Sequence, residues 1–187
     1  IYAMGLRNPF RFTVDPRTDV VYVGDYSPDA RTANPARGPG GQGRWVAIDK
    51  PANYGWPYCV APDQPYVDYD FATGTSGQPF NCAAPVNESP NNTGLRNLPP
   101  VEKAEIAYTY GPSAQFPELG TGGIGPMGGP AYDYDRRLRS QVKWPEAFDG
   151  KPLLGEWTRD WVKALTLDRR NQVTKIESVL PELVFDN

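Results

Sequence analysis

Short runs of alternating apolar and polar residues, separated by turn signals, recur along the chain, and no stretch carries the 3.6-residue apolar period of an amphipathic helix. Phe10, Phe12 and Val14 alternate with Arg11, Thr13 and Asp15. The segment therefore reads as a half-buried strand with its apolar face toward a core. A turn at Pro16 leads into a second strand at 20–25. Residues 26–43, rich in Pro, Gly, Asp and Arg, form a loop before a third strand at 45–48. Strands resume at 106–110, 131–134, 152–157, 161–167 and 173–179, the last two joined by a hairpin turn at Arg170-Asn171-Gln172. This is an all-β pattern, compatible with a sandwich, a barrel or propeller blades. Periodicity does not choose among them, and no internal repeat of roughly 40 residues is visible.

A chain of 187 residues can bury a core and normally forms one domain. Its ends, Ile1-Tyr2-Ala3-Met4 and Leu183-Val184-Phe185-Asp186-Asn187, read as cut from a longer chain, with neither an initiator Met nor a charged-then-apolar leader. With 19 Gly and 21 Pro, balanced by 5 Trp and 11 Tyr, the composition fits a packed protein with long ordered loops. The net charge of −3 comes with no basic block, so nucleic acid is not an expected partner. No apolar run reaches the roughly 18–20 residues that span a bilayer, so no membrane span is expected.

Residues 60–105 read as a long insertion of turn-forming residues, of the kind that is usually functional or an accessory surface. Cys59 and Cys82 flank its irregular part. With only these two cysteines and no His in the chain, a zinc site is a poor reading and a disulfide a better one; two separate buried thiols are the alternative. A disulfide would stabilise the fold by roughly 3 kcal/mol in the chain-entropy model. It would also place the protein in an oxidising compartment, secreted or periplasmic.

The absence of imidazole excludes Ser-His-Asp and Cys-His catalysis within this chain. The 22 acidic residues show no spacing that singles out a carboxylate pair for glycoside hydrolysis. The glycine-dense run 120–129 lacks the following Lys-Ser/Thr of a phosphate loop, and reads as a loop that brings backbone close to a cofactor or a central channel. Arg7 and Asn8 stand at a strand mouth. A planar guanidinium beside an amide suits an anionic, carbonyl-bearing ligand. From the residues alone, a surface ion pair and an Asn-Pro turn, both commonplace, are the reading to prefer.

Four segments carry a family resemblance: Arg7-Asn8-Pro9, Asp25-Tyr26-Ser27-Pro28-Asp29, Asn53-Tyr54-Gly55-Trp56-Pro57 and the stretch from Gly155 to Trp161. Together they resemble the soluble quinoprotein glucose/sorbosone dehydrogenases, which are six-bladed β-propellers. The resemblance implies that residues 1–187 are a partial propeller covering the middle and later blades, completed by the remaining segments of its parent. It implies that Arg7 and Asn8 contact pyrroloquinoline quinone (PQQ), and that the backbone carbonyls of Tyr26, Ser27 and Pro28 bind calcium. Thr158 stands where the family often has Lys, leaving Arg159 as a candidate second anion contact. Trp56 packs between blades or lines a sugar-binding mouth. The implied activity is oxidation of an aldose sugar to a lactone, with electrons passed to an external acceptor. The family's general-base His belongs to an earlier blade. The alternative is a non-catalytic extracellular propeller that binds glycans or proteins.

Overall fold

The computed structural model describes residues 1–180, so the apolar run at 183–187 lies outside the described residues. The protein is all-β, with three short 3-10 turns and no α-helix among the described residues. In chain order the strands are β1 (Ala3–Met4), β2 (Arg11–Val14), β3 (Val21–Tyr26), β4 (Gly43–Ile48), β5 (Ala52–Asn53), β6 (Cys59–Ala61), β7 (Gln64–Pro65), β8 (Val67–Asp70), β9 (Thr75–Pro79), β10 (Ile106–Tyr108), β11 (Pro126–Ala131), β12 (Pro152–Glu156), β13 (Trp161–Leu167) and β14 (Val173–Ser178).

Eight of them build two four-stranded sheets, ordered β10-β4-β3-β2 and β11-β12-β13-β14. All neighbours in both sheets are antiparallel. Each sheet is a meander, and no strand crosses from one to the other. The sheets stack face to face, as adjacent propeller blades do. Tyr22, Trp45, Ala47 and Ile106 of the first meet Leu154, Leu165 and Ile176 of the second in the main core, where Tyr22 and Trp45 stack with centroids 5.3 Å apart. The opposite face of the first sheet buries Val23, Val46 and Ile48 beneath Tyr54 and Ala104. With both faces covered, β4 is buried along its whole length.

Three expectations are corrected. The 10–14 strand forms as β2, but its apolar face is the exposed one: Phe12 is 63% exposed, whereas Asp15 is buried. The reason is register. Phe12 and Val14 pair with Val23 and Val21, on the face away from the second sheet, and the Tyr54 layer does not reach them. The strand expected at 131–134 instead lies earlier, inside the glycine-dense run, as β11. A Cβ on Gly128 would stand 2.4 Å from the Tyr22 carbonyl oxygen, and one on Gly24 would stand 2.6 Å from Pro126. Glycine here permits the two sheets to meet backbone to backbone.

The insertion is also more regular than its composition suggests. It holds two ribbons, β6–β7 and β8–β9, and Cys59 and Cys82 are joined as a disulfide with an S–S distance of 2.00 Å. The Val101 N–H donates to the Cys82 carbonyl (2.9 Å), and the Asn53 side-chain amide donates to the Pro99 carbonyl (2.8 Å). The insertion therefore leaves where it entered. No helix among the described residues is long and apolar enough to cross a membrane.

Candidate functional site

The mouth at Arg7 is built on a buried ion pair. Asp25 closes β3 and Arg44 lies directly opposite it on β4; the side chains are 0% and 2% exposed. The Arg44 guanidinium donates to Asp25 Oδ2 through Nη2 (2.5 Å) and Nε (3.1 Å). Its Nη1 donates to the carbonyls of Tyr54 (2.6 Å) and Val60 (2.8 Å). The other carboxylate oxygen, Asp25 Oδ1, accepts the backbone N–H groups of Arg7 (3.0 Å) and Asn8 (2.8 Å). One carboxylate thus takes four donors, and a buried charge so placed is costly to break from either side.

With their backbone fixed, Arg7 and Asn8 present their side chains outward. The Arg7 guanidinium carbon lies 5.6 Å from the Tyr26 ring centroid and 5.8 Å from that of Trp56. Among the described residues it forms neither an ion pair nor a side-chain hydrogen bond. Trp56 is half-buried and meets Tyr66 edge to face at 5.6 Å. Asn8 lines a cleft of about 400 Å³ between the two sheets, together with Arg11, Tyr26, Met127, Trp157 and Thr158. Exposed guanidiniums, an unengaged amide and aromatic walls suit a planar anion.

Tyr26, Ser27 and Pro28 lie beside this mouth. The Tyr26 and Tyr110 hydroxyls are 3.2 Å apart and both donate to Asp29 Oδ1 (3.0 and 3.3 Å). Burial, then the bonds to Tyr110 and Asp29, push the Tyr26 phenol well above its ordinary value. Ser27 is buried, with its hydroxyl oxygen accepting the Gln42 N–H. The Pro28 carbonyl already accepts the Ala30 N–H (2.8 Å). Among the described residues no three Asp, Glu, Cys or His side chains stand together for a metal, and Asp25 is fully engaged. A calcium here would rest on backbone carbonyls and draw the rest of its six to eight oxygens from a bound anion and water.

Arg159 behaves otherwise. It lies in the 3-10 turn after β12, and its donors go to backbone: Nε to Gly123 (2.8 Å), Nη1 to Leu119 and Gly120 (both 3.0 Å) and Nη2 to Thr109 (2.7 Å). Its guanidinium also covers the Tyr108 ring at 4.7 Å. The residue expected as a second anion contact is a clamp on the glycine loop. Thr158 is exposed at the cleft, but its hydroxyl is engaged, donating to the buried Glu156 carboxylate (2.7 Å), which also accepts the Tyr108 hydroxyl. Burial, reinforced by Glu156, holds the Tyr108 phenol far above its ordinary value.

Three residues of the mouth escaped the sequence reading. The sequence reading places Asp25 in the loop motif but not in a pair with Arg44. The signal that could have found the pair is an Arg inside the apolar strand Gly-Arg-Trp-Val-Ala-Ile opposite an Asp that ends Val-Tyr-Val-Gly-Asp. Tyr66 comes from the insertion, and its hydroxyl is buried without a hydrogen-bond partner. Burial pushes this phenol up to about 12, against the pull of the Arg44 and Arg7 charges.

No family model matches this chain, and no curated protein does. Among solved structures, one described as a crystal structure of glucose dehydrogenase is similar over 97% of this chain, at 16% identity and a TM-score of 0.47. The chain spans 37% of the length of that structure.

Proposed function

We propose that this chain is part of a sugar oxidoreductase that holds pyrroloquinoline quinone at the Arg7–Asn8 mouth, with calcium on the carbonyls of Tyr26, Ser27 and Pro28. The observation that carries this reading is an arginine with its donors free, set between the Tyr26 and Trp56 rings and fixed through its backbone to a buried carboxylate. Arg7 binds and orients a carboxylate of the cofactor, Asn8 donates to a carbonyl, and the cleft walls exclude water from its face. When bound, an ortho-quinone would supply the two-electron acceptor that oxidation of an aldose C1 hydroxyl to a lactone requires, with an external acceptor needed to reoxidise it. The base for the sugar hydroxyl is not an imidazole of this chain, which has none.

A second reading is favoured by Arg159 and Thr158. The Thr158 hydroxyl and the Arg159 donors are engaged within the protein, so of the two arginines that the family resemblance assigns to the anion only Arg7 has free donors. On that reading the complete protein is an extracellular propeller that binds without catalysis. Equilibrium dialysis of PQQ against the complete protein, with and without calcium, separates the two. Calcium-dependent retention of quinone, followed by dye reduction with an aldose, supports the oxidoreductase. Failure to retain quinone at any calcium concentration removes it.

A further inference from the structure

The loop at 26–43 carries two arginines that the quinone reading does not use. Arg31 lies over the Tyr110 ring with 5.4 Å to its centroid. Arg37 lies over Tyr69 at 4.4 Å and Phe71 at 5.2 Å. Both arginines are exposed, and neither forms an ion pair among the described residues. Phe71 is 78% exposed. A guanidinium whose face rests on a ring presents its N–H edge to solvent, the geometry that takes a carboxylate through two parallel hydrogen bonds.

The platform is held in shape before any ligand arrives. Within the loop, Gly41 N–H donates to the Ala30 carbonyl (2.6 Å), and Asn34 and Gly38 exchange two backbone hydrogen bonds of 2.9 and 2.7 Å. The loop is fastened to the β8–β9 ribbon by Val67 N–H donating to the Arg37 carbonyl (3.0 Å) and by Ser76 Oγ donating to the Ala36 carbonyl (2.9 Å). Along β8, Val67 and Tyr69 are half-buried while Asp68 and Asp70 are exposed. Alternation puts the two acidic side chains on the face of the ribbon away from Arg37. Asp29, the acidic residue near Arg31, is taken by the Tyr26 and Tyr110 hydroxyls.

We propose that the Arg31–Tyr110 and Arg37–Tyr69–Phe71 stacks form a binding surface for an acidic oligosaccharide, with carboxylates of the sugar on the guanidinium edges and a sugar ring on the exposed face of Phe71. An acidic oligosaccharide is favoured over an acidic protein by form. The aromatic groups are small, Tyr110 alone and the edge-to-face Tyr69–Phe71 pair, each under an arginine, where a protein interface has a contiguous apolar centre. The inference stands apart from the quinone assignment, because neither stack includes Arg7 or Asn8.

The test is calorimetric titration of the complete protein with trigalacturonate, with its methyl-esterified form and with poly-L-glutamate. Arg31→Ala/Arg37→Ala is compared with Arg169→Ala/Arg170→Ala, which removes equal charge at the hairpin between β13 and β14. The expected result is salt-sensitive binding of trigalacturonate, little binding of the ester, and a loss of tenfold or more in Arg31→Ala/Arg37→Ala alone. Quinone retention should be the same in both variants. Absent binding of trigalacturonate overturns the proposal, as does an equal loss in the two double variants. Tighter binding of poly-L-glutamate than of trigalacturonate also overturns it, in favour of an acidic protein partner.

Discussion

Arg7 and Arg159 both sit where a strand gives way to a turn, yet the fold uses them in opposite ways. Arg7 is fixed through its backbone by Asp25, so its side chain has nothing left to hold and faces the open mouth. Arg159 does the fixing with its side chain, drawing in the carbonyls of Thr109, Leu119, Gly120 and Gly123. The difference lies in what supplies the structural hydrogen bonds. Where a buried carboxylate takes the N–H groups of a turn, the arginine is available for ligand. Where a glycine-rich loop leaves carbonyls unpaired, the arginine is consumed by them.

The largest effect is expected at the carboxylate itself. Asp25→Ala leaves the Arg44 guanidinium buried without its counter-charge, and should lower stability by about 3–5 kcal/mol in denaturant unfolding. It should also release the Arg7–Asn8 backbone, removing what sets Arg7 apart from Arg159. A loss below about 1 kcal/mol, within the range of an exposed ion pair, would show that Asp25 does not distinguish them.

Next comes the disulfide. Arg44 also donates to Val60, the residue after Cys59. Cys59→Ser/Cys82→Ser should cost about 3 kcal/mol and loosen hydrogen exchange at Arg7 and Asn8 more than in the 119–123 loop. Equal loosening at both places would break the comparison.

A smaller effect, remote from both arginines, comes from Glu105. Burial raises its carboxyl from its ordinary 4.5 to about 7, with Asp49 and Glu102 adding to the rise and the hydrogen bond from the Ala47 N–H opposing it. Because the folded state holds this proton more tightly than the unfolded chain, the contribution is fully present below about pH 4.5 and is lost as pH rises through about 7. Glu105→Gln should flatten that part of the stability profile and leave ligand binding at Arg7 unchanged. A profile that keeps its slope between pH 4.5 and 7 in the variant would assign it to another group.

The strands were legible where side-chain pattern alone decides, as in β3, β4 and the hairpin of β13 and β14. They were not legible where a second sheet decides. β11 is a strand because Gly24 and Gly128 let two backbones meet, a fact no single-strand pattern carries. The buried face of β2 was misread because its apolar alternation is real but lies beyond the reach of the Tyr54 layer. At the candidate site, Arg7 and Asn8 were singled out from chemistry and resemblance. The pairing of Asp25 is not legible in its own segment, because its partner is supplied by the neighbouring strand. Arg159 looked like Arg7 because the four carbonyls it holds, brought from two other segments, are invisible in its own.

The division of labour between the two arginines is tested most directly by measuring stability and PQQ retention in calcium side by side for Arg7→Ala and Arg159→Ala in the complete protein. Arg7→Ala should weaken retention by about 1.5–3 kcal/mol, roughly 10- to 150-fold, with its unfolding midpoint unchanged. Arg159→Ala should lower the midpoint by an amount corresponding to about 2 kcal/mol, since it strands several loop carbonyls, while the folded fraction binds as before. Parallel losses of binding and stability in both variants, or a loss of binding confined to Arg159→Ala, would contradict the account.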